Sequence, residues 1–221
     1  MAAGTDDRGH TRRPFGMLAW TLLVTVGVVV GLAAPVAAYV AATRVELPMF
    51  IIYPTLALAG AVQGLVLGIT QALALYRTVM EVPRAAWSLI TMVGALVAWG
   101  LGMLPATFEA LGEPLDLDSR RVLAMVLAGG VVLLLIVPFA QWLLLRRVLP
   151  GAWLWIAVEA VAIAVALATV AGLSVAVDTS RPLADLAPVL AVGGGAVALA
   201  FALITGFGLL MMAPRRAPAG G

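Results

Sequence analysis

Six long apolar runs fill most of the chain, separated by short polar segments rich in arginine, proline and acidic residues. None of the runs alternates with the period of two that marks a half-buried strand. Each is near the ~20 residues that a 1.5 Å helical rise needs to cross a hydrocarbon core. The runs predict helices over 17–42, 47–76, 85–104, 121–145, 151–175 and 187–212. The second is long enough to tilt or to include an interfacial turn near Pro54. Backbone amides find no water partner in lipid, so open apolar runs of this kind are helices. The expected fold is an all-α membrane protein of six transmembrane helices, forming one domain over 17–212. Cytoplasmic tails are expected over 1–16, disordered, and over 213–221.

Composition supports the membrane assignment. Hydrophobic residues make up 63% of the chain, charged residues 11%, and the mean hydropathy is +1.11. A soluble fold of 221 residues cannot bury so much apolar side chain, and the surplus must face lipid. The net charge of +2 is too small to bind nucleic acid. All 13 basic residues are arginine, and they cluster between the runs as topology signals.

Nine arginines (Arg8, Arg12, Arg13, Arg77, Arg84, Arg146, Arg147, Arg215 and Arg216) fall on one side of the expected bundle. Arg44, Arg120, Arg121 and Arg181 fall on the other, together with Glu46, Glu109, Glu113, Asp116, Asp118, Asp178 and Asp185. The positive-inside bias then puts both termini in the cytoplasm. Arg12-Arg13 has the look of a twin-arginine export signal, and Pro35-Val36-Ala37 that of a cleavage site. The apolar run continues past that site to Ala42, so an uncleaved first span is the better reading.

Self-similarity appears with a period near 66 residues. Trp20, Trp87 and Trp153 each follow a proline-containing segment, and seven residues beyond them stand Gly27, Gly94 and Ala160. On the returning helices Gly60, Gly130 and Gly194 precede Gln71, Gln141 and Thr205 by 11 residues, close to three whole turns. Arg77 and Arg147 follow the two glutamines by six residues, and Met211 takes that place in the third copy. The pattern divides the chain into three tandem, parallel-repeated hairpins over about 14–82, 83–149 and 150–216. Trp20, Trp87 and Trp153, with Arg146 and Arg147, are expected to anchor helix ends at the headgroups. Gly60, Gly64 and Gly68, with Gly130 and Gly194, are expected to let helix backbones approach closely.

The stretch Gln141-Trp142-Leu143-Leu144-Leu145-Arg146-Arg147, followed by Pro150-Gly151-Ala152-Trp153, resembles a loosely defined set of uncharacterised bacterial multi-pass membrane proteins with repeated helical hairpins. The resemblance covers all six helices and implies architecture only, with no activity, substrate or cofactor attached; the expected location is the bacterial cell (inner) membrane. Three tandem two-helix units are also similar to mitochondrial-type carriers, but their proline–acid–basic signature is missing here.

Glu159 is the one ionisable residue well inside an expected span. An acid there costs about 2.5–3.5 kcal/mol on insertion scales, so it should face the bundle interior with a partner. With Gln71, Gln141 and Thr205 at similar depth it forms a candidate intramembrane polar layer. Two uses present themselves. Glu159 is a carboxyl in a transport path or switch, or it bonds Gln141 or a backbone carbonyl and holds hairpins together. The acids of 105–119 match no calcium-loop spacing and read as a solvated loop.

There is no cysteine or lysine, and the single histidine, His10, lies in the polar N-terminal segment. No nucleophile–base pair, metal-ligand motif or phosphate loop can be assembled within the spans. The expectation is a non-enzymatic structural or accessory protein without cofactor, partnered by the lipid bilayer and by itself or another membrane protein. The alternative is a small solute or ion transporter, or a substrate-binding membrane subunit, using the layer around Glu159.

Overall fold

The computed structural model describes residues 16–76, 82–176 and 183–212. They form six helices: α1 (Met17–Arg44), α2 (Met49–Tyr76), α3 (Arg84–Ala110), α4 (Arg120–Leu145), α5 (Leu154–Ala176) and α6 (Leu183–Met212). All six are long and apolar enough to cross a membrane, and no strand occurs among the described residues. The expected tails over 1–15 and 213–221 lie outside the described residues.

The largest departure from the sequence reading is at α3, which runs on through Pro105 to Ala110. A proline removes one backbone donor and need not end a helix set in lipid. The stop comes at Gly112, whose φ of 80° lets Glu113 N–H reach back to Phe108 O at 2.9 Å. The acidic loop is correspondingly shorter than expected. At the other end of the bundle, α5 begins at Leu154, because Gly151 (φ 73°) opens a turn where a helix was expected.

Each helix packs on its neighbours in the chain, and α6 packs back on α1, closing a ring. The α2–α3 seam is the most extensive and α4–α5 the thinnest. Glycine explains the first. A Cβ on Gly64 would meet the Ala95 side chain and come within 2.8 Å of Thr91 O, and one on Gly68 would lie 2.8 Å from Ser88 Cα. A Cβ on Gly60 would run into the Trp99 indole. Gly130 and Gly194 behave differently from expectation. A Cβ at either would meet nothing within 4 Å, because no neighbouring backbone comes close at that depth. The close approaches fall instead at Gly27 on Thr70, Gly94 on Val137, Gly206 on Trp20 and Gly208 on Val158.

Candidate functional site

The main buried core centres on three tryptophans near the end of the bundle where α1, α3 and α5 begin: Trp20, Trp87 and Trp155. All are fully buried. Trp155 sits between the other two, with ring centroids 6.1 Å from Trp20 and 6.0 Å from Trp87. Edge-on and tilted contacts of this kind add to the burial itself. Two sequence expectations are corrected here. Trp20 and Trp87 are interior donors rather than headgroup anchors, and the tryptophan in register with them is Trp155. Trp153 is 64% exposed, since the turn at Gly151 places it outside the bundle. Arg146 and Arg147 are exposed at the end of α4, with the Arg146 guanidinium over the Trp142 ring.

An indole N–H buried in this core needs an acceptor, and each tryptophan finds one on a neighbouring helix, α2, α4 or α6. Trp87 Nε1 donates to Gln71 Oε1 (3.1 Å), Trp155 Nε1 to Gln141 Oε1 (2.8 Å) and Trp20 Nε1 to Thr205 Oγ1 (3.1 Å). The third bond joins α1 to α6 and seals the ring. Gln141 Nε2 then donates to Gln71 Oε1 (3.1 Å) and to Thr91 Oγ1 (2.9 Å). Thr91 and Thr205 return their own protons to Trp87 O and Phe201 O, one turn back.

Helical spacing explains the arrangement. Positions i, i+4 and i+7 share one face. On α1, α3 and α5 those positions, counted from the tryptophans, are Trp20-Val24-Gly27, Trp87-Thr91-Gly94 and Trp155-Glu159-Ala162, and all nine residues are buried. Glu159 therefore stands where α3 carries Thr91 and α1 carries Val24. On the returning helices the buried face reads Gly68-Gln71-Leu75, Pro138-Gln141-Leu145 and Ala202-Thr205-Leu209. Thr91 and the three leucines were missed from sequence. The leucines four residues beyond Gln71, Gln141 and Thr205 were a readable signal, lost among so many apolar neighbours.

All four residues of the expected polar layer come together in this core. Gln71, Gln141 and Thr205 are 0% exposed and Glu159 1%. The carboxyl of Glu159 neighbours the side chains of Trp155 and Gln71. Two buried atoms of this layer, Glu159 Oε2 and Gln71 Nε2, make no hydrogen bond of good geometry, nor do the hydroxyls of Thr21 and Thr25 on α1. The amide of Gln71 cannot turn over to cure this, because Trp87 and Gln141 both donate to its oxygen. On α1 the position equivalent to Thr91, the acceptor of Gln141 Nε2, is held by Val24, which offers no acceptor. A second amide network lies further along the bundle, where Trp99 Nε1 donates to Gln63 Oε1 at 3.0 Å.

A prediction follows from that contrast. Val24→Thr is expected to raise stability by about 1 kcal/mol, by giving Gln71 Nε2 an acceptor of the kind Thr91 gives Gln141. A buried Val→Thr exchange ordinarily costs stability, so detergent-resistance midpoints separate the outcomes cleanly. A lower midpoint would show that Gln71 does not need the acceptor.

No group of three or more metal-ligating side chains occurs among the described residues. Comparison with protein-family models, with characterised proteins and with solved structures finds no match to this chain.

Proposed function

We propose that the chain is a multi-pass membrane protein of structural or accessory role, acting through helix packing with itself or a partner and not as an enzyme. The observation that carries this reading is the sealed polar layer. Gln71, Gln141, Glu159 and Thr205 are at most 1% exposed, and three of the four are consumed in indole–amide and indole–hydroxyl bonds between hairpins. A conducting path needs polar groups that solvent or substrate can reach; these are used as fasteners. Three copies of one hairpin, each passing its tryptophan to the hairpin before it, account for the two buried faces described above.

Transport is the second reading, and the free Oε2 of Glu159 favours it. The two readings separate in proteoliposomes. Under the packing role Glu159→Gln should lower stability by about 1 kcal/mol, read as a lower unfolding midpoint, and proton or sodium flux should stay at the protein-free background. An unchanged midpoint, with wild-type flux that the variant loses, would replace the packing role by transport. Co-purification from native membrane would identify the partner.

We further propose the bacterial inner membrane as location, with both termini cytoplasmic, from the arginine bias. The chain has no cysteine, so single thiols report its topology directly. Glu113→Cys should react with a membrane-impermeant maleimide on intact cells, and Pro150→Cys only after lysis. The opposite pattern would invert the orientation.

A further inference from the structure

The seam between α2 and α3 leaves an apolar groove of about 410 Å³ on the outside of the bundle. Its floor is Ala72 and Ser88, and its walls are Leu65, Ile69, Leu73 and Leu89. Arg84 closes the end where α3 begins. A second groove of about 480 Å³, between α5 and α6, is lined by apolar residues and glycine alone. The cation distinguishes the first.

Arg84 is also held in place. Its guanidinium carbon lies 3.3 Å from the centroid of the Tyr76 ring, at the last residue of α2. Stacking occupies a face of the guanidinium and leaves its in-plane N–H fork for an anion. No carboxylate among the described residues pairs with it. A fixed cation with no carboxylate partner among the described residues, at the headgroup end of a greasy slot, matches one kind of molecule, with a phosphate at one end and a hydrocarbon chain at the other. We infer that the α2–α3 groove binds one anionic phospholipid, its phosphate on Arg84 and an acyl chain along Ile69, Leu73 and Leu89.

The test uses the full chain in detergent, with native mass spectrometry counting bound lipid. Phosphatidylglycerol should be preferred over phosphatidylcholine of the same chains by roughly fivefold, the effect of one basic residue at an anionic surface. Arg84→Gln should bring that ratio close to one, and Arg84→Lys should keep part of it, since charge remains and the fork is lost. Arg146→Gln should leave the ratio unchanged, because neither of these two grooves reaches that arginine. Ala85→Trp, which fills the slot and spares Arg84, should cut retention of both lipids. Equal loss in Arg84→Gln and Arg146→Gln would mean diffuse charge without a site, and would overturn the inference. Displacement by millimolar inorganic phosphate would make it a site for free anions, and undiminished binding in Ala85→Trp would remove the acyl chain from the groove. Either result refutes the lipid assignment.

Discussion

Gln141→Leu should cost about 2 kcal/mol of stability, the largest loss expected from any single side chain in the polar core. Leucine nearly matches the volume, so the loss is one of bonding rather than of packing. Gln141 accepts from Trp155 and donates to both Gln71 and Thr91, which ties α4 to α5, α2 and α3 at once. Interhelical bonds in membranes average roughly 0.6 kcal/mol each, and three of them sum to the figure given. The indole N–H of Trp155 would also be left buried without its acceptor. Thr205→Val removes one interhelical bond, from Trp20, and should cost less than half as much. Unfolding in mixed micelles, followed by tryptophan fluorescence, ranks the two. Should Thr205→Val prove as harmful as Gln141→Leu, the bonds are not the unit of stability, and ring closure at α1–α6 matters more than their number.

Gly64→Ala is expected to destabilise by about 2 kcal/mol and Gly64→Leu to prevent normal assembly. The added carbon collides with Ala95 and with the backbone oxygen of Thr91, which cannot move without parting α2 from α3. Gly130→Ala is the matched control. Its Cβ meets nothing, so the exchange should be neutral or stabilising by up to about 1 kcal/mol, the helix-propensity difference. Thermal stability of the two alanine variants reads the difference directly. Equal effects would show that close helix approach at Gly64 contributes nothing in lipid, where packing is expected to replace the hydrophobic drive.

Much of the polar layer was legible because polar residues are expensive in lipid. Gln71, Gln141, Glu159 and Thr205 stand out against an apolar background, and their burial follows from that cost. What they bond to was harder to read. Trp153 and Trp155 are two residues apart, and both suit a tryptophan repeat near 67 residues. A turn at Gly151 decides between them, sending Trp153 outward and Trp155 into the core. The two-residue shift reassigns Glu159 from a position without counterpart to the one held by Thr91 and Val24. Sequence alone favours an interfacial anchor for tryptophan, because its amphipathic ring usually sits there. Here a buried acceptor on the neighbouring helix satisfies the N–H, and the ring can go inside.

The glycines make the same point. Gly60, Gly64, Gly68, Gly130 and Gly194 look alike in a string of letters, yet only the first three face a neighbouring helix closely: Gly64 and Gly68 its backbone, Gly60 the Trp99 indole. Whether a missing side chain is used depends on what lies across the seam.

By itself the sequence determined the number of helices and that each is long and apolar enough to cross a membrane, because run length and hydropathy answer directly to bilayer thickness. It also marked which polar residues must turn inward. Only the tertiary structure decided which tryptophan donates to which amide, that α6 returns to α1, and where backbones touch. Those are relations between residues up to 185 positions apart, and they depend on helix rotations of a fraction of a turn that no local pattern encodes.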